Sequence, residues 1–82
     1  MKLEIISPER RIFTGEVESV RLPGAIGSFT VLSCHAPLIS LLNAGEIIYT
    51  ANGDETRLKI ESGFVEVKNN VVFVCTEKMI KS

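Results

Sequence analysis

Cys34 and His35 are the two residues of this 82-residue chain whose side chains most readily do chemistry, and they are neighbours. A thiol beside an imidazole is the composition of a nucleophile and its base. Adjacent residues of extended chain point to opposite faces, however, so the pair would meet only across a special turn. His35 is the single histidine, and zinc normally takes three or four protein ligands, so no metal site is expected. Cys34 and Cys75 lie far apart without a Cys-x-x-Cys motif. That spacing is neither a disulfide framework nor a zinc knuckle, and it fits a reducing compartment. Gly24-x-x-Gly27 follows a β-like run, but no helix start and no Lys-Ser or Lys-Thr follows, so it reads as a loop and not a phosphate cradle. Asp54 and Glu55 sit in a turn sequence, while Glu4, Glu16, Glu18, Glu61 and Glu66 fall at outward positions of strands. No general acid and base pair is expected; catalytic, cofactor and metal residues are all read as none.

The elements that would position these residues are strands. Val, Ile and Thr together number 22 against four Ala, a balance that favours pleated surfaces over helices. No dozen residues carry apolar positions at helical spacing, and no helix longer than two turns is expected. Leu3 and Ile5 alternate with polar neighbours until Ser7-Pro8-Glu9 ends the first strand, and Ile12-Phe13-Thr14 makes a short second one. Val17, Val20 and Leu22 break the two-residue period near Glu18-Ser19, which predicts a β-bulge there. Pro23-Gly24-Ala25-Ile26-Gly27 is a loop, and residues 28–32 resume as strand. Leu38-Ile39-Ser40-Leu41-Leu42 is read as strand. Asn52-Gly53 between residues 46–51 and 56–61 predicts a tight hairpin, and Lys68-Asn69-Asn70 predicts a second between residues 64–67 and 71–74. The polar run 76–82 is expected to fray.

Strands and turns this closely spaced point to one all-β domain over residues 1–82, a two-layer antiparallel β-sandwich or flattened barrel of about eight to ten short strands. The expected core is Leu3, Ile5, Val17, Val20, Leu22, Phe29, Val31, Leu58, Ile60, Val65, Val67 and Val74. Composition is 45% hydrophobic and 23% charged with a mean hydropathy of +0.25, too apolar for disorder. A formal charge of −1 supplies no strong attraction for a phosphate backbone, so nucleic acid is not an expected partner. The run Val71-Val72-Phe73-Val74-Cys75 is far short of the ~20 residues a membrane helix needs, so no direct membrane insertion is expected. The start, Met1-Lys2-Leu3-Glu4-Ile5-Ile6-Ser7-Pro8-Glu9, lacks the basic and apolar order of a signal peptide and reads as mature protein.

The segment Leu22-Pro23-Gly24-Ala25-Ile26-Gly27-Ser28-Phe29-Thr30-Val31-Leu32-Ser33-Cys34-His35-Ala36-Pro37-Leu38 strongly resembles the signature of the epsilon subunit of bacterial F-type ATP synthase. Lys2 to Glu9, Phe13-Thr14-Gly15-Glu16-Val17-Glu18-Ser19-Val20, Asn43-Ala44-Gly45 and Ser62-Gly63-Phe64-Val65-Glu66-Val67 extend the resemblance over essentially the whole chain. It implies the N-terminal β-sandwich of a rotor subunit in the central stalk, without the helical hairpin that follows in the family. The implied partners are the gamma subunit and the ring of membrane subunits, and the implied role is helping couple proton flow to ATP synthesis. The implied location is peripheral, on the cytoplasmic face of the bacterial inner membrane. Self-inhibition and ATP binding belong to the missing hairpin and are not expected of this chain, nor is any other cofactor. By resemblance Ser7, His35 and Ser40 face gamma, with Leu42 added if it shares the face of Ser40, and Gly27, Ser28 and Phe29 face the ring. Two departures stand out. Ser33-Cys34 occupies the place of a common Pro-Gly, so a different backbone entering His35 is expected, and Ser28 replaces a common acid. A biotinyl or lipoyl carrier domain is the alternative, but its hairpin tip needs a lysine, and here the tip is Asn52-Gly53-Asp54 with Lys59 the nearest.

Overall fold

A computed structural model describes residues 1–79 of the chain, with side chains through residue 77. Eight strands run in the order β1 (Lys2–Ile6), β2 (Arg11–Glu16), β3 (Ser19–Leu22), β4 (Phe29–Leu32), β5 (Leu38–Leu42), β6 (Gly45–Ala51), β7 (Asp54–Lys68) and β8 (Val71–Met79). Their neighbours follow the path β2-β1-β8-β7-β6-β3-β4, with β5 on the free side of β7. β7, 15 residues long, belongs to both layers. Its first half pairs β6 and so continues into β3 and β4, and its second half lies between β5 and β8. The all-β sandwich expected from composition is what forms, and no described residue is helical. One pair departs from the antiparallel expectation: β1 and β8 run parallel, Leu3 opposite Val72 and Ile5 opposite Val74.

Both predicted hairpins form. Asn52 and Gly53 have φ of 53° and 80° and close on the pair Ala51–Asp54, the doubly left-handed loop that Asn-Gly favours because its twist matches that of the strands. Asn69 and Asn70, at 51° and 61°, do the same between Lys68 and Val71. The expected bulge at Glu18-Ser19 is a strand break instead. The Val17 amide donates to the Met1 carbonyl and the Glu18 amide to the Thr50 carbonyl, so the chain leaves one layer and joins the other there. The true bulge lies in β7, where the register shifts between Ile60 and Gly63. Inward positions are even before it and odd after it: Leu58 and Ile60, then Gly63, Val65 and Val67. Gly63 is required, because a Cβ would stand 2.4 Å from the Cys75 carbonyl oxygen.

The predicted core largely holds, with Leu3, Ile5, Val17, Val20, Leu22, Val31, Ile60, Val65, Val67 and Val74 all buried. Phe29 and Leu58 are only half-buried against it, and Leu42, Ile47, Tyr49 and Val72 join it. Tyr49 meets Phe13 with ring centroids 4.5 Å apart. Each fully buried aliphatic side chain contributes about 1.5–3 kcal/mol relative to exposure. The tail expected to fray does not do so at its start: β8 continues to Met79. Thr76 is buried and its hydroxyl donates to the Ile6 carbonyl at 3.2 Å. Residues 80–82, the rest of that expected tail, lie outside the described residues.

Candidate functional site

Because side chains alternate along each strand, inward Leu3, Ile5, Val65, Val67, Val72 and Val74 send their neighbours to the outside of the β1, β8, β7 and β5 layer. The register lines those neighbours up in rows. Ile6 lies opposite Cys75, Cys75 opposite Phe64, and Phe64 opposite Leu41. The row beside it reads Glu4, Phe73, Glu66 and Ile39. Leu41 is 69% exposed, Ile39 74% and Phe64 40%. An apolar band therefore crosses four strands on the outer face, where water is expected to meet polar residues. Glu66 stands in the neighbouring row, and Glu4 pairs with Arg11 at 3.6 Å. The sequence did hold a signal for this band. The runs 38–42 and 71–75 are apolar at nearly every position, and a strand apolar on both faces must be covered on both.

The four residues expected on a gamma-facing surface are not gathered on this face. Ser7 follows β1 directly beyond Ile6, half-buried; its hydroxyl donates to the Arg10 carbonyl at 3.2 Å. That arrangement turns the chain toward β2. Ser40 is half-buried and lies on the inward side of β5, opposite Val65. Leu42 shares that side and is 3% exposed, so it is core and unavailable to any partner; the outward residues of the strand are Ile39 and Leu41. The phase of β5 is set by its pairing to β7, where Leu42 meets the buried Gly63. The expectation that some aliphatic surface of this segment reaches the outside holds, through the opposite residues.

His35 closes a turn in which its amide donates to the Leu32 carbonyl at 3.2 Å. Cys34, third in that turn, has φ 63°, the positive value that the third residue of a type II turn takes and that Pro-Gly pairs supply most easily. The backbone entering His35 is thus of the kind a Pro-Gly would make, held here by other means. The Asn70 side-chain oxygen accepts from the Cys34 amide at 2.8 Å and from the Ser33 hydroxyl at 3.4 Å. The two side chains reach different partners. His35 Nδ1 contacts the Ala36 carbonyl oxygen at 2.6 Å, and Cys34 Sγ approaches the Ser33 hydroxyl at 4.0 Å.

The ring-facing candidates Gly27 and Ser28 form an exposed loop with Phe29 half-buried at its end. Gly27 adopts φ 143°, and its amide reaches back to the Gly24 carbonyl. The residue that sequence reasoning passed over is Ile26, 102% exposed at the loop tip. Arg21 Nη2 donates to the Ser28 hydroxyl at 3.1 Å, so the loop carries a cation beside the position where an acid is common. Cys75 is half-buried in the apolar band, and its burial pushes the thiol pKa upward; no reactive thiolate is set up there. Among the described residues no group of three or more His, Cys, Asp or Glu could hold a metal. The Asn52-Gly53 tip has no lysine, and Lys59 lies inside β7. What the geometry offers is surface for a protein partner.

The family described as ATP synthase, Delta/Epsilon chain, beta-sandwich domain matches residues 1–82. The ATP synthase epsilon chain of Leptospira interrogans is 40% identical over 78 residues, covering 94% of this chain and 61% of the relative. That of Chlorobium limicola is 39% identical over 77 residues, covering 93% of this chain and 88% of the relative. The chain thus spans about three fifths of the first relative and most of the second. Among solved structures, a chain of the Euglena gracilis mitochondrial ATP synthase aligns with a TM-score of 0.88 at 22% identity, over 95% of this chain and 51% of that one. A chain in the central stalk and c-ring of the Tetrahymena thermophila mitochondrial ATP synthase aligns with a TM-score of 0.83 at 9% identity, over 98% and 65%. At those identities the structures speak for the fold.

Proposed function

Since this chain belongs to the family of ATP synthase delta/epsilon chain β-sandwich domains, we propose that it is a non-catalytic rotor subunit that binds the gamma subunit and the ring of membrane subunits. In that role it helps couple proton translocation to ATP synthesis. The observation that carries the reading is the outward apolar band Ile6, Cys75, Phe64 and Leu41. A contiguous exposed apolar surface on a small domain marks a protein contact, and gamma is the partner assigned to it. The loop with Ile26 at its tip is assigned to the ring, with Gly27 and Ser28 beside it, and Ser7, next to Ile6, borders the proposed gamma contact. No helix among the described residues is long and apolar enough to cross a membrane, and the proposed location is peripheral, at the cytoplasmic face of a bacterial inner membrane. The chain is proposed to bind neither ATP nor nucleic acid.

Reconstitution tests this reading. Purified gamma subunit should form a stoichiometric complex with the chain, and membranes stripped of epsilon should regain coupled ATP synthesis when it is added back. No complex with gamma and no restored coupling would refute the assignment. Saturable heat on titrating ATP into the isolated chain would refute the part that concerns nucleotide.

A further inference from the structure

Three strands, β2, β4 and β5, pair along one side only, and they are not protected alike. β2 carries Arg11 and faces an irregularity between Ile5 and Ile6, and β4 has only four residues. Charge, irregularity and shortness are the devices that keep sheet edges from pairing with other chains. β5 has none of them: it is Leu38, Ile39, Ser40, Leu41 and Leu42, uncharged and without proline.

Hydrogen-bond alternation identifies which of its backbone groups are open. The two-residue hairpin closes on Lys68 and Val71, so Lys68, Glu66 and Phe64 bond to β8, and Val67, Val65 and Gly63 bond to β5. Their opposites Leu38, Ser40 and Leu42 are thereby used. Ile39 and Leu41 turn their amides and carbonyls to the free edge. At Leu41 that edge is closed, because the Ala25 amide donates to the Leu41 carbonyl and the Asn43 amide to the Pro23 carbonyl. At Ile39 it is open: among the described residues no loop backbone bonds to it. Beyond Ala25 the loop swings away and leaves a groove of about 400 Å³ between residues 26–29 and residues 38–40. Ile39 also lines a second groove of about 330 Å³ that runs to Glu66 and Lys68.

We propose that an extended segment of the gamma subunit adds as a strand to β5 opposite Leu38, Ile39 and Ser40, bonding the Ile39 amide and carbonyl and setting an apolar side chain into the groove beside Phe29. The inference rests on gamma being the partner and specifies how it docks. Ile39 belongs both to this edge and to the outward apolar face, so the added strand is continuous with the proposed gamma contact. A second copy of this chain does not fit. Antiparallel pairing of β5 with itself about Ile39 sets Leu41 opposite Pro37 of the other copy, and Ala25 already fills that place. Strand addition of this kind takes affinity from main-chain bonds and selectivity from alternate side-chain pockets.

The test removes one backbone donor. The chain is assembled by ligation at Cys34 with an N-methyl group on Ile39, and affinity for purified gamma is compared with that of the unmodified chain. Among the described residues nothing accepts from the Ile39 amide, so the thermal unfolding midpoint should hold while binding weakens by about tenfold or more. In the unmodified complex the Ile39 amide should exchange with deuterium at least ~10-fold more slowly than in the free chain. Unchanged affinity of the N-methylated chain overturns the proposal, and it does so even if Leu41→Glu abolishes binding, since gamma would then dock on the face alone. If the modified chain loses stability, exchange decides: an Ile39 amide left unprotected in the complex overturns strand addition. Failure of the unmodified chain to bind gamma at all is a different result, and it removes the functional reading itself.

Discussion

The sandwich has two outer faces, built by the same alternation of side chains, and they carry opposite chemistry. On the β4, β3, β6 and first-half β7 layer the outward residues are Arg21, Thr30 and Leu32, Glu46, Ile48 and Thr50, then Glu55, Arg57 and Lys59. Arg57 binds Glu55 at 3.0 Å and Glu46 at 3.2 Å, a network stretched across two strands. On the β1, β8, second-half β7 and β5 layer the outward row is Ile6, Cys75, Phe64 and Leu41. The first face is mostly polar, with Arg57 pairing two of its acids, and its apolar residues Leu32 and Ile48 stand apart among charged and hydroxyl neighbours. The second leaves apolar area exposed, and one of its end strands, β5, is covered by loop backbone only at its Leu41 end. The proposed partner-binding surface is thus the part of the domain that the chain leaves unfinished.

The sharpest break between inside and outside falls between two consecutive residues. Leu42 is buried and Leu41 is 69% exposed. Leu42→Glu places a carboxylate in the core and should leave the domain unfolded, with a loss above about 4 kcal/mol. Leu41→Glu and Phe64→Glu should fold, with midpoints close to that of the parent, and should weaken gamma binding about 100-fold, or about 2.7 kcal/mol. Circular dichroism melts and a titration with gamma measure both. A folded Leu42→Glu variant would mean that β5 has been placed in the wrong phase. Undiminished binding by Phe64→Glu would strip the apolar face of its role.

How much of this was legible in the sequence depends on whether the deciding interaction was local. Asn52-Gly53 and Asn69-Asn70 form hairpins because the residues themselves accept positive φ, so those turns could be read directly. The alternation of Leu3 with Ile5 and of Val65 with Val67 likewise announced its own core. Phase slips were a different matter. Val17 with Val20 and Ile60 with Gly63 are the same signal, an apolar spacing of three. The first proves to be a change of layer and the second a bulge. The difference lies in partners distant in sequence, Met1 and Thr50 for one and Cys75 for the other. The site suffered most, because Leu38-Ile39-Ser40-Leu41-Leu42 is apolar on both faces and only its pairing with β7 decides which face is which. Ser7, His35 and Ser40 were singled out by the resemblance, while the outward residues Ile39, Leu41 and Phe73 lay outside the quoted segments and Phe64, inside one, had no role attached to it.

Gly63 is where β7 passes from the polar layer to the apolar one, and its substitution tests how that passage is held. A Cβ at this position meets the Cys75 carbonyl at 2.4 Å, a backbone atom that cannot step aside without disturbing the β7–β8 ladder. Gly63→Ala should destabilise the domain by about 1–3 kcal/mol, the range for overpacking. Urea unfolding measures it, and a loss near zero would mean the bulge is soft. Gamma affinity should fall as well, since Phe64 follows immediately and would be re-aimed.

A smaller effect is expected from pH on the apolar face. Burial raises the Cys75 thiol pKa, so as pH climbs through the ordinary thiol range, near ~8.5, the unfolded chain gives up a proton that the folded chain keeps. The unfolded state then binds fewer protons, and stability falls with rising pH. Cys75→Ala should flatten this alkaline decline between pH 8 and pH 10 on a series of thermal melts, about one to two units around that range. An identical slope in the variant would show that the thiol is as hydrated folded as unfolded, and the face around it wetter than the register implies.

The smallest expected effect is the control for all of these. Arg57 is exposed, and the hydrogen bond and charge of Glu55, followed by those of Glu46, raise its pKa above an already high ordinary value. Water and salt screen such a pair, and holding long side chains together costs entropy that offsets most of the attraction. Arg57→Gln should therefore shift the unfolding midpoint by no more than about 2 °C and leave gamma affinity unchanged at any salt concentration. The last condition is the demanding one. If gamma were steered or held by the polar layer, removing its central cation would change affinity at low salt and less so at high salt. A salt-dependent loss in Arg57→Gln, alongside intact binding by Phe64→Glu, would reverse the roles of the two faces: the paired charges would be the docking surface, and the apolar band would need a different partner.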